Sequence, residues 1–350
     1  MRVLMYSDLH VSHRNVDYMR FLEGTIQYLE EMVKTHAPDF LVNLGDTLDS
    51  FGIMDVRDGS VAQDLLCRLT RGLPEGSKHI VLRGNHDTYD KFGDLSSTGL
   101  IAPKDIIYVS KNQVLKIDSR ATFLCIPHTK DVESANQFIY NNAEKGCAIF
   151  AHMDFLGCRL TPAYVSKDGI DPAKMDKHKL LIFSGHYHAP MTVGCVNFVG
   201  APLYQDFRDL VVEEPRGFLL WERNSMADVH QNVLRRIPNP HTYQCIRVEA
   251  KTKKTLTVAC EKYLPEAERI RVKVYVPKKL IEDAQDLFKG FLWYGVYPLE
   301  GEKEGMEFTS KVNLRTTSEE AVKKAVSSAG EEFNKAVLEQ YGMDAFKGSL

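Results

Sequence analysis

Five short apolar runs in this chain each end in residues that carry chemistry, and that arrangement constrains the fold more than any other feature of the sequence. Val3–Tyr6 runs into Asp8-Leu9-His10, and Phe40–Leu44 into Gly45-Asp46-Thr47-Leu48-Asp49. Ile80–Leu82 leads into Arg83-Gly84-Asn85-His86-Asp87, Ala148–Ala151 into His152, and Leu180–Phe183 into Ser184-Gly185-His186-Tyr187-His188. The runs are too short for helices and mostly lack polar alternation, so buried strands are expected. Phe123–Ile126, Val196–Val199 and Phe218–Trp221 read the same way. Between them, Leu22, Ile26, Leu29 and Val33 recur at helical spacing, as do Val61, Leu65 and Leu69, and Val132, Ala135 and Ile139. Strands alternating with helices predict a layered α/β domain. In an open α/β sheet the loops at the carboxyl ends of the strands share one rim, so distant residues can form one site.

Asp8, His10, Asp46, Asn85, His152, His186 and His188 then meet as oxygen and imidazole donors, in suitable number for two divalent cations. Singly the motifs are weak: Gly-Asp-x-x-Asp occurs wherever an aspartate caps a helix. Gly-Asn-His-Asp is more specific, since Asn85 adds a neutral oxygen ligand and Gly84 permits a tight turn. Gly-His-x-His after a buried strand puts two imidazoles on one side of an extended segment. A donor set without thiolate points to Mn²⁺, with Mg²⁺, Fe²⁺ or Zn²⁺ as alternatives. The seven cysteines are scattered and form no Cys-x-x-Cys pair, which argues against a zinc finger and for a reducing, cytoplasmic setting. No apolar run has the ~20 residues a membrane span needs, and Asp8 and His10 come too early for a signal peptide.

The ordered set from Asp8 to His188 resembles the calcineurin-like metallophosphoesterase superfamily, and within it the SbcD-type nuclease subunit of double-strand-break processing; a compact phage-encoded member, working in host cytoplasm, would fit the size. The resemblance implies a layered β-sandwich flanked by helices, with a smaller α+β capping domain. It implies that Asp8, His10, Asp46 and His188 hold one metal, and Asp46, Asn85, His152 and His186 the other. His86 would be the catalytic imidazole, oriented by Asp87 or another carboxylate. Chemistry agrees on the bridge, because a ligand shared by two cations in this way must be a carboxylate, which suits Asp46. The resemblance also implies a coiled-coil ABC-type ATPase partner, and a homodimer formed through the region from Phe51 to Ile101. Many relatives carry a histidine three residues after the bridging aspartate; here that residue is Asp49.

Domains are expected at 1–223 (metallophosphoesterase), 224–300 (basic cap) and 301–350 (linker and C-terminal helix). Asn224 to His241, with Asn239 between two prolines, reads as a linker. Arg269–Val276 alternates strictly, a half-buried strand with Arg269, Arg271 and Lys273 on its open face. That face suits a DNA backbone, although cations also protect an ordinary sheet edge. Lys278–Trp293 and Ser318–Tyr341 read as helices; the latter either packs on the cap or docks on the ATPase. The net charge of −3 hides a surplus of +8 between Val233 and Lys279, which suggests an anionic partner.

The function read from these features is a two-metal DNA exo/endonuclease. A phosphatase or small-molecule phosphodiesterase is the alternative. Arg83 before Gly-Asn-His echoes the serine/threonine phosphatases, but Asp46-Thr47-Leu48-Asp49 lacks their following Arg-Gly, and Asp87 stands where they have glutamate. That alternative also leaves the chain beyond Trp221 unexplained. A scaffold that had lost its ligands would show gaps in the motifs, and none is missing.

Overall fold

The computed structural model describes residues 1–299 apart from 14–15, 52, 89–94, 118–120, 144–147, 162–163, 177–180, 206, 211–213 and 224–231; the expected helix Ser318–Tyr341 lies outside the described residues. In chain order the first strands are β1 (Arg2–Tyr6), β2 (Phe40–Asn43), β3 (Lys78–Leu82), β4 (Ile106–Val109), β5 (Gln113–Ile117) and β6 (Ala121–Ile126). There follow β7 (Ala148–Ala151), β8 (Arg159–Thr161), β9 (Tyr164–Val165), β10 (Leu181–Ser184), β11 (Met191–Val193) and β12 (Val196–Phe198). The last are β13 (Gly217–Arg223), β14 (Asn232–Pro238), β15 (Gln244–Glu249), β16 (Ile270–Val276) and β17 (Trp293–Pro298). The helices are α1 (Val16–His36), α2 (Val56–Arg71), α3 (Ser97–Ile101), α4 (Val132–Asn142), α5 (Pro172–Asp176), α6 (Lys253–Tyr263) and α7 (Ile281–Phe288).

Two six-stranded sheets, ordered β14-β13-β1-β2-β3-β4 and β11-β12-β10-β7-β6-β5, pack face to face. Alternation along each strand decides the layers. Val3, Met5, Phe40, Val42 and Ile80 meet Phe123, Phe150 and Phe183 between the sheets, whereas Leu4, Tyr6, Leu41 and Val81 turn outward onto Leu22, Ile26 and Val33 of α1 and Leu65 and Leu69 of α2. On the far side, Leu124, Ile149 and Ile182 meet Ala135 and Ile139 of α4. Strands buried on both faces need no polar alternation, which is why their sequences read as continuous apolar runs. Each fully buried aromatic here contributes about 1.5–3 kcal/mol.

Two expectations need correction. The supposed linker contains β14, which pairs along its whole length with β13 and closes that edge of the first sheet. Val233 and Leu234 are left exposed there, so the strand lacks the apolar run that marks the others. The helix expected over Lys278–Trp293 stops at Phe288; past Gly290 the chain enters β17, where Trp293 pairs with Arg271. The strand at β16 alternates as its sequence does, with Ile270, Val272, Val274 and Val276 buried and the residues between them half-buried. Strands β15, β16 and β17 make a third, parallel sheet, connected through α6 and α7. Among the described residues, no helix is long and apolar enough to cross a membrane.

Candidate metal centre

The loops after β1, β2, β3, β7 and β10 converge at one end of the sandwich. Backbone bonds tie them: Asp8 N–H donates to Gly45 O, His10 N–H to Asp46 O and Gly185 N–H to Ala151 O, each at 3.0 Å. Crowding leaves no room for side chains at Gly84, where a Cβ would run into Asp46, or at Gly185, where it would meet Ser7 Oγ and Leu44 O. Asp8, His10, Asp46 and His186 all adopt positive φ, between 46° and 81°. Left-handed backbone is costly for non-glycine residues and persists where the surroundings over-determine it, typically at functional sites.

Three groups of donors have ligand atoms within 4.8 Å of one another: His10, Asp49 and His86, and the two that contain the expected ligands, Asp8, His10 and His188, and Asp46, His152 and His186. Asp46 lies between these last two, with Oδ2 3.7 Å from His10 Nε2 and 3.3 Å from His152 Nε2. Asn85 Oδ1 completes the Asp46 group, 3.0 Å from His152 Nε2 and 2.8 Å from His186 Nδ1. The structure places all seven of these residues together. Asp8, His10, Asp46 and His152 are buried.

The partners of the imidazoles determine which nitrogen faces inward. Carbonyl and carboxylate oxygens only accept, so His152 Nδ1–H donates to Leu44 O (2.7 Å), His186 Nε2–H to Asp154 Oδ1 (3.2 Å) and His188 Nδ1–H to Asp209 Oδ1 (3.2 Å). His152 Nε2, His186 Nδ1 and His188 Nε2 are left to face the other donors, His188 Nε2 lying 3.2 Å from His10 Nε2. Nitrogen and oxygen lone pairs aimed at one another, with three of the imidazoles held from behind, are what divalent cations require of a site. The residues present fit two such ions. Burial opposes charging His152, but the Asp46 carboxylate overrides it and lifts the ring to about 9. Burial likewise opposes charge on His188, and its hydrogen bond to Asp209 prevails, raising it. At His10 burial outweighs the opposing Asp46 and Asp8 carboxylates, with the neighbouring His188 and His86 rings adding to it, and the ring falls to about 4.

The sequence model of the calcineurin-like phosphoesterase family matches residues 1–207. The chain belongs to that family. Calcineurin-like phosphoesterases bind two divalent metals and hydrolyse phosphoesters, and the two groups of expected ligands in this phosphoesterase suit that pair. No curated protein matches the chain. Among solved structures, the crystal structure of Pseudomonas putida nuclease MPE is similar at 16% identity over 63% of this chain and 83% of that one, with a TM-score of 0.30.

Around the donors, this phosphoesterase departs from the sequence reading at Asp87 and at Arg269. Asp87 is not the partner of His86. Its buried carboxylate accepts from the N–H groups of Asp46, Leu48 and Gly84 and from the Thr98 hydroxyl, bracing two ligand loops. The carboxylate on His86 is Asp49, whose Oδ1 lies 2.7 Å from Nδ1. Arg269, expected beside Arg271 and Lys273, donates instead to the carbonyls of Pro240 and Thr242, clamping the approach to β15. Sequence reasoning also missed Asp154 and Asp209, and His128, whose ring lies 5.6 Å from that of His186. Asp154 follows His152 by two residues, a hint the spacing offered; Asp209 sits in a short 3₁₀ turn, Phe207–Asp209, that no motif marks.

Proposed function

We propose that this phosphoesterase is a two-metal, Mn²⁺-type nuclease acting on DNA. The observation that carries the reading is the position of the cationic cap sheet. Arg271 and Lys273 reach over the ring of Phe207, at 6.0 and 4.6 Å, and Phe207 shares its turn with Asp209, the partner of His188. Cations aligned beside a metal centre suit a phosphate backbone better than a small ester.

Asp8, His10, Asp46 and His188 would hold one metal, and Asp46, Asn85, His152 and His186 the other. When bound, the pair supplies a nucleophile at neutral pH and neutralises charge on the phosphate. The chain's own residues do the rest. Asp154, Asp209 and Leu44 O fix the ring orientations. His86, held by Asp49 through Nδ1, offers Nε2 as the proton donor to the departing sugar oxygen. Arg83, the residue that echoes the phosphatases, is buried and donates to His128 O at 2.6 Å, which disfavours a role as a phosphate grip.

By the same resemblance the proposal extends to an SbcCD-like complex, with a coiled-coil ATPase docking on residues beyond Thr317 and a homodimer. Exposed Phe51, Ile53, Val56, Leu95 and Leu100 support pairing of two copies through the expected region. The deciding assay offers the purified protein with Mn²⁺ labelled duplex, single-stranded DNA and p-nitrophenyl phosphate esters in parallel. DNA cleavage is expected; ester hydrolysis without any DNA cleavage overturns the reading. Loss of ATPase co-purification on deleting residues after Thr317 tests the partner separately.

A further inference from the structure

The sheet β15–β16–β17 has two unlike faces. One is filled by Val248, Val272 and Val274 against Leu256 of α6 and Phe288 of α7. The other is built from three registered rows: Cys245–Arg271–Trp293, Arg247–Lys273–Gly295 and Glu249–Tyr275–Tyr297. The Tyr275 and Tyr297 rings stack at 5.4 Å and 26°, and the Arg247 guanidinium lies 4.3 Å over Tyr275 while pairing with Glu249. Trp293 lies 5.3 Å from Phe207 at the end nearest the metal ligands. Gly295 stands where Trp293 and Tyr297 close in; a Cβ there would come within 2.8 Å of both, so the two rings lie side by side only because that position is glycine.

Aromatic faces interleaved with cations have a specific use. A duplex presents phosphates but keeps its base faces stacked inside, so rings on a protein surface gain nothing from it. Unpaired bases stack on such rings, with cations following the backbone. A face serving only to solvate the sheet needs neither the aligned tyrosines nor the continuity with Phe207.

We propose that this face is a track for a single-stranded stretch of nucleic acid. Bases stack on Tyr275 and Tyr297, and phosphates follow Arg247, Lys273 and Arg271 past Phe207 toward the metal ligands. The inference rests on the nuclease reading and adds to it the form of the substrate.

The test measures fluorescence anisotropy of a labelled oligothymidylate, and of a blunt duplex of equal length, with chelator present to prevent cleavage. Tyr275→Ala and Tyr297→Ala are each expected to weaken oligothymidylate binding about tenfold and to leave duplex binding close to wild type. Tyr275→Phe and Tyr297→Phe, which keep the ring, are expected to bind as wild type does. Tyr275→Leu fills the space without an aromatic face, so if an alanine variant loses its cooperative thermal transition, the leucine variant carries the test. Single-strand affinity undiminished in the variants, or equal losses for both probes, overturns the track. If wild type cleaves DNA and the variants cleave single strands equally well, the track alone falls. If wild type hydrolyses bis(p-nitrophenyl) phosphate but neither binds nor cleaves DNA, the nuclease reading falls with it.

Discussion

Replacing Asp87 separates a brace from a catalytic partner. Its side chain is fully buried and accepts four hydrogen bonds, at 3.0 Å from Asp46 N, 3.1 Å from Leu48 N, 2.9 Å from Gly84 N and 2.6 Å from Thr98 Oγ1. Burial and the nearby Asp46 charge raise its pKa to about 6, and those donors oppose the rise. Asp87→Ala strands all four. At about 1–3 kcal/mol for each unsatisfied buried donor, the cost is about 4 kcal/mol or more, a large part of the ~5–15 kcal/mol a folded domain commands. Asp87→Asn is milder. Its amide nitrogen can take the Oδ1 side, where the Thr98 hydroxyl can rotate to accept, leaving only Leu48 N–H without a partner, about 1–3 kcal/mol. Urea unfolding should rank wild type, Asp87→Asn and Asp87→Ala in that order. An alanine variant within about 1 kcal/mol of wild type that nonetheless lost turnover would refute the brace and return Asp87 to the chemistry of His86.

Other substitutions address the centre itself. His86→Ala should retain metal and thermal stability while turnover falls about 10²–10⁴-fold, and Asp49→Asn should fall in the same direction by less; full activity in either ends the assigned role. Asp46→Ala should lose the paired metals, read as metal content per chain after dialysis. Asp154→Ala and Asp209→Ala should each weaken metal binding about 10–100-fold by freeing His186 and His188, measured by titration calorimetry. His79 offers a pH test away from the metals. Burial lowers its pKa to about 3, with Tyr6 OH 3.0 Å from Nε2 and Thr70 Oγ1 2.9 Å from Nδ1. The folded state therefore refuses a proton that the unfolded chain accepts. Its contribution is whole above the ordinary value of 6.5 and is lost as pH falls toward about 3, at up to about 1.4 kcal/mol per unit. Urea midpoints across that range should fall less steeply in His79→Gln.

The central strands were legible because burial on both faces writes a run of apolar residues with nothing to confuse it, as in Phe40–Asn43 and Ala148–Ala151. The ligands were legible because each follows such a strand directly. What failed to show was whatever depends on side-chain reach. Asp87 adjoins His86 in sequence, whereas Asp49 stands 37 positions away on another loop, yet it is Asp49 that meets the imidazole while Asp87 points inward to backbone amides. Asp209 meets His188 from 21 positions away. β14 was hidden for a different reason. An edge strand buries little, and Asn232–Pro238 carries two arginines where an inner strand would carry valines.

That edge strand also determines where the molecule can be cut. Arg236, within β14, donates across the sandwich to Phe198 O and Val199 O at 3.1 and 2.7 Å, so it rivets one sheet to the other. Immediately after it, Asn239 is anchored through its side-chain amide to Thr25 Oγ1 and Pro202 O. A fragment ended at residue 223 would bare the full length of β13 as a sticky template for other chains. One ended beyond Asn239 would keep both the rivet and the anchor, and that is where a free-standing catalytic half should begin to purify as a monodisperse protein.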